Sequence, residues 1–434
     1  MRFLCASDLH LGRRVTGIPA HLSLDPARLA TSTVWDQLVE TAITEQVEAV
    51  LLAGNLIDRE NRLFEPLGPI ERGLTTLGRH EIPVYAVAGD HDFDILRRIA
   101  DTDATGALHL IGRDSRWTRE TITGRHGDTV SLLGWSAAGQ TAPGTPLVDV
   151  PAAREDDTPI VALVHGSLVE SDAATGAFAP VVIDDLNDVP VDLWILGHGT
   201  RHAVGRIGET TALEPGAACP LGPEAPGPHG VWIVDVAPGD APACRMIDIA
   251  PVRFEDIDID ITSMSDPEHI ENEVIRVLHE TLAAAISDDP GGHLVCVPCA
   301  VRVTGVTPRH AEVPALMRDL ARTLDIQQQG VIAAIGSVAI DTRPPADLAP
   351  LVGRPDPVGE LARLLTGLDG AGEMSPAHET LLQRTTTRLQ GVHRARVFAS
   401  VANDPEPGPE QARALLRREG WTLLDALIRQ RGVE

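Results

Sequence analysis

The 434-residue chain contains no lysine, so every basic side chain is arginine, and its aromatic content is only 3%. With abundant alanine, glycine, proline and arginine, this is a compositional bias and not a functional signature. No run of eighteen apolar residues occurs, which excludes a membrane-spanning helix. Asp8 and His10 interrupt the one early apolar run, so a secretory leader is not expected. Five scattered cysteines, an odd number, make no disulfide framework, and a reducing cytoplasm is the expected setting. Positive charge is also scarce: 36 basic against 62 acidic residues leave a net charge of −26. That excludes a broadly basic surface coating nucleic acid, but not an enzyme meeting phosphodiesters at one local, metal-neutralised cleft. There is no internal repeat, and the length suits two or three domains.

What is present begins with Phe3-Leu4-Cys5-Ala6-Ser7-Asp8-Leu9-His10-Leu11-Gly12. An apolar run too short for a buried helix ends in Asp-x-His and then glycine, as a strand closing on two metal-type ligands would. If the segment stays extended, Asp8 and His10 point to one side and reach one ion together. Carboxylate plus imidazole suits manganese, iron or zinc. The pattern of buried strand followed by ligand-type residues then recurs. Val50–Ala53 ends in Gly54-Asn55-Leu56-Ile57-Asp58-Arg59, and Val84–Val87 ends in Gly89-Asp90-His91-Asp92. Ile160–Val164 delivers His165-Gly166, and Leu193–Leu196 delivers Gly197-His198-Gly199-Thr200-Arg201-His202.

Between the early strands lie helical patterns, with Trp35, Leu38, Val39, Ala42 and Ile43 on one face and Leu67, Ile70, Leu74 and Leu77 on another. Alternating strands and helices with short turns predict neighbouring parallel strands, whose carboxyl ends are where open α/β sheets place their sites. Further strands at Val130–Leu133, Val231–Val236 and Arg245–Ile249 complete a second sheet. The expected fold is a four-layer α/β sandwich (αββα) over residues 1–253. A small α/β cap is expected over 254–345, with a helix at Pro267–Ile286, a strand at Leu294–Val303, a helix at His310–Leu324 and a strand at Val331–Ile340. Residues 346–434 are expected to form a helical tail, broken at Asn403–Pro409, whose last helix has Ala412, Leu415, Leu416, Leu423, Leu424 and Leu427 as its apolar side. Cys296-Val297-Pro298-Cys299 has redox or zinc spacing without a second pair, and reads as core cysteines in a strand. The Asp256, Asp258, Asp260 alternation reads as one solvated strand face.

Asp-x-His, Gly-Asn-x-x-Asp, Gly-Asp-His-Asp, His-Gly and Gly-His-x-Thr, in this order at strand ends, resembles the calcineurin-like metallophosphoesterase superfamily. The catalytic domain, cap and helical tail look most like the SbcD/YhaO-type DNA-repair exonucleases. The resemblance implies two ions clamping a phosphodiester. Asp8, His10 and Thr200 would serve the first and Asp90, His165 and His198 the second, with Asn55 at the bridging position. It implies His91 as the catalytic histidine, Asp92 as the carboxylate orienting it, and Arg13 and Arg14 as candidates for binding substrate phosphate.

Three positions depart from the family pattern: Asn55 stands for the bridging aspartate, Asp90 for an asparagine and Thr200 for the last histidine. An amide is a poor bridge between dications, and His202 is a candidate substitute ligand. The expected cofactor is therefore manganese, with one tightly bound ion and a weaker second. The implied activity is hydrolysis of DNA phosphodiesters in repair, with DNA and an SMC-like coiled-coil ATPase as partners, a homodimer as a further assembly, and no membrane. The alternative is a catalytically weakened subunit acting as a binding or scaffold component of an ATPase complex.

Overall fold

The computed structural model describes residues 1–61, 63–154, 156–170, 177–370, 374–395 and 406–431. The first sheet contains β1 (Arg2–Ala6), β2 (Ala49–Ala53), β3 (Val84–Val87) and β4 (Leu108–Leu110), all parallel. The second takes β5 (Thr118–Thr123), β6 (Thr129–Trp135) and β7 (Ile160–His165). After the short pair β8 (Leu168–Val169) and β9 (Val181–Val182), the second sheet continues with β10 (Leu193–Gly197), β11 (Ala203–Ile207) and β12 (Thr210–Glu214). Then β13 (Gly230–Asp235) and β14 (Ala243–Asp248) return to the first sheet, β13 pairing antiparallel with β1. Each sheet has six strands, in the orders β14-β13-β1-β2-β3-β4 and β11-β12-β10-β7-β6-β5. The edge strands β5 and β11, and β12 beside β11, are not expected from the sequence because they are short and largely polar or hidden between turn residues.

Side-chain alternation explains the layering. Phe3 and Cys5 of β1 face the second sheet and pack with Leu51, Val161, Leu163 and Ile195. Leu4 and Ala6 face the other way, onto α1 (Thr31–Thr44) and α2 (Leu67–Arg79), where Trp35, Leu38 and Leu74 meet them. A short α3 (Ile95–Thr102) follows β3. On the outer face of the second sheet the covering layer is a 3-10 turn (Asp184–Asp188) and loops that bring Ala152, Phe178 and Leu186 onto Trp194 and Val164. No α-helix lies between residues 103 and 266 among the described residues.

The chain divides into two compact units. One holds Met1–Glu255, Glu280–Cys299 and Asp325–Ala334, and the other Asp256–His279, Ala300–Leu324 and Ile335–Glu434. A four-stranded sheet takes β15 (Glu255–Asp260), β16 (Cys296–Val306), β17 (Asp325–Gln328) and β18 (Val331–Arg343) in the order β15-β16-β18-β17, with α4 (Pro267–Ser287) and α5 (Val313–Thr323) in the connections. In β15, Ile257 and Ile259 are buried while the aspartates alternate outward. Cys296 and Cys299 lie buried in β16 as free thiols, and burial pushes both up to about 12. The tail comprises α6 (Ala349–Val352), α7 (Pro357–Leu368), α8 (Pro376–His393) and α9 (Pro409–Arg431). Trp421 and Leu424 of α9 pack on Val358 and Leu365 of α7, while Leu423 stays 51% exposed. Of the expected break at Asn403–Pro409, residues 403–405 lie outside the described residues.

The two sheets approach closely where β10 ends. A Cβ on Gly197 would fall 1.8 Å from the Ala53 carbonyl oxygen and 2.7 Å from His165 Nδ1. Backbone cannot yield there as a flexible side chain would, so Gly197→Ala is expected to destabilise the fold by about 1–3 kcal/mol. Gly205→Ala in β11, where a Cβ meets nothing within 4 Å, is the control that should stay near neutral. Urea denaturation of both variants checks this, and equal midpoints would contradict the tight-approach account.

Candidate metal centre

The candidate ligands cluster at the carboxyl ends of β1, β2, β3, β7 and β10, five strands drawn from both sheets. The local backbone does not follow the extended reading. Strand β1 stops at Ala6, and Asp8 and His10 both take left-handed conformations, with φ of 51° and 47°. Asn55 (φ 53°) and His198 (φ 82°) do the same. Asp8 and His10 therefore converge through two strained turns instead of strand alternation, His10 Nε2 lying 3.5 Å from Asp8 Oδ1. The turns are held by the neighbouring loop, since Asp8 N–H donates to Gly54 O at 3.1 Å and His10 N–H to Asn55 O at 3.0 Å. Four non-glycine residues strained in this way at one site is the pattern of a functional constraint.

Asn55 occupies the middle. Its Oδ1 accepts the His91 backbone N–H at 3.0 Å, which turns the amide nitrogen toward the acids. Nδ2 then lies 2.9 Å from Asp8 Oδ1, 3.0 Å from Asp90 Oδ1 and 3.1 Å from His165 Nε2. Gly89 makes room for this, because a Cβ there would sit 2.3 Å from Asn55 Oδ1. The amide has two hydrogens for these three neighbours, and His165 Nε2 makes a further contact, to Asp90 Oδ1 at 3.2 Å.

Two donor groups flank this amide: Asp90 with His165 and His198, and His10 with Asp58 and His91. In the first, His165 is wholly buried and its Nδ1–H donates to Ala53 O at 2.7 Å, leaving Nε2 directed at Asp90 Oδ1, 3.2 Å away. That carbonyl contact fixes the tautomer a metal-ligating histidine needs. The His198 ring is held by Ser167 Oγ at 3.2 Å and by stacking on Phe178 at 5.4 Å, and the His198 backbone N–H donates to Asp8 Oδ2 at 3.0 Å. The carboxylate and two oriented imidazoles fit a divalent ion.

The second group is a hub on Asp58. Its Oδ2 meets His10 Nδ1 at 3.0 Å, Arg13 Nη1 at 3.4 Å and His91 Nδ1 at 3.3 Å, the last close but poorly aligned for a hydrogen bond. Asp92 is not the residue that faces His91. It is fully buried, and it accepts from the Gly89, Leu56 and Ile57 amides, tying the β2 and β3 turns together. The carboxylate beside His91 is Asp58, whose place in the Gly-Asn-x-x-Asp motif was its signal in the sequence. Ser167 and Phe178 carry no comparable signal, because neither belongs to a ligand spacing.

Electrostatics follow the contacts. Burial would raise the Asp8 carboxyl, yet His10, His165 and Asn55 hold it at about 2. Burial would likewise lower His10, but Asp58 and Asp8 raise it to about 9. Asp58 and Asp90 are held well below the usual carboxylate range despite desolvation, Asp58 by His10 and His91 and Asp90 by His165 and Asn55. His198 goes the other way, lowered by burial and by His165. Thr200 is exposed after β10, and its carbonyl accepts from Ala217 N–H at 3.3 Å. The His202 ring sits beside Trp232, 6.1 Å away. Arg13 lies on the rim through its Asp58 contact, and Arg14 is exposed beside it.

Residues 1–199, the part of the chain that carries this centre, match the family model of the calcineurin-like phosphoesterases. The chain is 27% identical over 249 residues to YhaO of Bacillus subtilis strain 168, named an uncharacterized metallophosphoesterase, covering 55% of this chain and 58% of YhaO. It is 34% identical over 92 residues to the DNA double-strand break repair protein Mre11 of Sulfolobus acidocaldarius, covering 21% of this chain and 22% of Mre11. The matches thus span less than two thirds of either relative. Among solved structures, a dimetal phosphatase from Danio rerio is 12% identical with a TM-score of 0.35, over 57% of this chain and 98% of that one.

The metal-free protein has a pH signature of known sign. His10 is raised from an ordinary 6.5 to about 9, so its contribution to stability is complete below its unfolded value and is lost as pH rises through about 9. Asp8 is lowered from 3.8 to about 2, so its contribution is lost on acidification through that range. After EDTA treatment, the melting temperature should fall between roughly pH 6.5 and 9, and His10→Gln should flatten that slope. A parent protein whose melting temperature rises or holds level over this interval would contradict the assignment.

Proposed function

We propose that the chain is a metal-dependent phosphodiesterase of the SbcD type that hydrolyses DNA in repair, in the cytoplasm. The observation that carries the reading is the meeting of two donor groups, His10–Asp58–His91 and Asp90–His165–His198, at one set of strand ends. The likeness to Mre11, named a DNA double-strand break repair protein, supports the choice of DNA as substrate. When bound, a divalent metal, manganese in this reading, supplies polarisation of the phosphoryl group and an activated water. Asp90, His165 and His198 would hold the tighter ion. Asp58 is already engaged by His10, Arg13 and His91, which makes the first-metal side, with Asp8 and His10, the weaker site. His91, with Nδ1 toward Asp58, presents Nε2 to protonate the leaving oxygen. Arg13 and Arg14 at the rim draw the phosphate backbone into a chain whose net charge otherwise repels it.

A second reading has its own observation. The Asn55 amide already bridges Asp8 and Asp90 by hydrogen bonds, so a chain used only for binding would have a centre stable without metal. The two readings part in one experiment. Manganese-supplemented hydrolysis of single- and double-stranded DNA, beside bis-p-nitrophenyl phosphate, should show activity that falls roughly 10²–10⁴-fold in His91→Ala. Elemental analysis should give about one ion per chain, lost in Asp90→Ala. Restoring the family pattern with Asn55→Asp, Asp90→Asn and Thr200→His should raise both stoichiometry and rate. Activity unchanged in His91→Ala overturns the catalytic assignment, and metal without activity in the parent favours the binding subunit.

The proposed partner, an SMC-like coiled-coil ATPase, would seat on a groove of about 740 Å³ beside α7, α8 and α9, lined by Leu361, Leu364, Leu381, Leu423 and Leu427. Leu381 and Leu423 are 36% and 51% exposed, so Leu381→Asp with Leu423→Asp should abolish co-purification with the ATPase while sparing the fold. Full recovery of the ATPase with the double variant would remove the groove from the interface.

A further inference from the structure

The loop that leaves Asp58 carries the most exposed apolar side chain of the described residues. Phe64 is 87% exposed and Leu63 beside it 52%. Every other aromatic among the described residues is buried or half-buried, from Phe3, Trp35 and Trp194 in the cores to Trp117 and Phe93 at their margins. In a chain this poor in aromatics, leaving one ring almost wholly in water is not explained by a shortage of polar surface. The Phe64 loop is not detached from the centre either. Asp58 N–H donates to Leu11 O at 3.0 Å, Asn61 Nδ2 donates to Gly12 O at 3.3 Å, and a Cβ on Gly12 would lie 2.8 Å from Asn61 O. Three residues separate Phe64 from Asn61, a reach of at most about 11 Å. Phe64 therefore lies within that reach of the point where Asn61 meets the loop of Gly12, Arg13 and Arg14, which runs straight out of the His10 turn. Arg14 and Arg59 are exposed there, and Arg13 reaches Asp58.

An exposed aromatic ring and exposed arginines on neighbouring loops of one phosphodiester-type centre are the parts of a single-strand nucleic-acid platform, in which arginines take the backbone and the ring takes a base. We propose that Phe64 is a specificity-determining residue, stacking on an unpaired nucleobase of the strand whose phosphodiester enters the centre, with Leu63 widening the apolar surface. The proposal rests on the phosphodiesterase reading above and adds to it: the substrate is engaged as a single strand at the site, read by its base face without sequence preference. Arginine contacts to the backbone are common to strands with and without bases, whereas stacking needs a base, so base-bearing and base-free strands are distinguishable by binding.

The test is fluorescence anisotropy with the full manganese-loaded chain at low salt and low temperature, probe integrity being checked on a gel. The probes are a thymidine 10-mer and an abasic deoxyribose-phosphate 10-mer. The parent protein should bind the thymidine strand more tightly than the abasic one. Phe64→Ala should weaken thymidine binding by roughly fivefold to a hundredfold while leaving the abasic strand within twofold, and Phe64→Trp should keep the preference. Because the side chain is exposed, unchanged melting temperatures are expected and show that folding is intact. Equal loss on both probes, or no loss on either, overturns the stacking role while the nucleic-acid reading stands. Failure of the parent to bind either probe overturns that reading and the platform with it. A change of oligomeric mass in Phe64→Ala, with no change in strand preference, assigns the ring to self-association instead.

Discussion

The centre depends on where one amide points. Asn55 has its oxygen committed to the His91 backbone N–H, and that single acceptor requirement forces its nitrogen between Asp8, Asp90 and His165. Rotating the amide would set an oxygen against two carboxylates and leave a buried backbone N–H unpaired, two penalties in the same direction. The loops of β1, β2 and β3 are thereby fixed relative to one another without a metal. Coordination of an ion by the same acids has to compete with hydrogen bonds that are already made, which is why residue type at this one position weighs on both metal affinity and the choice between enzyme and binding subunit.

Around that amide the fold supplies closeness. Residues from both sheets approach closely where glycine stands at the points of contact, Gly197 against Ala53 and Gly89 against His165. The strain of four left-handed non-glycine residues is offset by the packed layers beneath, where Phe3, Leu51, Leu163 and Ile195 are wholly buried between the sheets. Ligand-type side chains thus sit on short turns over a rigid base, an arrangement suited to presenting charge with little reorganisation.

Charge is organised locally against a hostile background. The chain as a whole is strongly acidic, yet His10 is drawn up to about 9 and the carboxylates facing it are drawn down. The hub of Asp58, His10, His91 and Arg13 is close to self-neutralising, whereas the Asp90, His165 and His198 group retains acceptor capacity for an ion. That asymmetry comes from the contacts of Arg13 and Asn55, not from the number of ligands on each side.

By itself the sequence determined the strand–helix alternation, the carboxyl-end position of every ligand-type motif, and the departures at Asn55, Asp90 and Thr200, because buried strands and their closing residues leave a pattern along the chain. It could not determine that Asp8 and His10 converge through left-handed turns, since φ is imposed by hydrogen bonds to Gly54 and Asn55 from another strand. Nor could it assign Asp58 to His91 and Asp92 to the backbone amides of residues 56, 57 and 89. Both carboxylates sit in plausible motifs, and only the tertiary structure, by bringing β2 and β3 side by side, decides which oxygen faces which donor. The same holds for Ser167 and Phe178, which become neighbours of His198 through folding across more than a dozen intervening residues, a distance at which spacing along the chain carries no information.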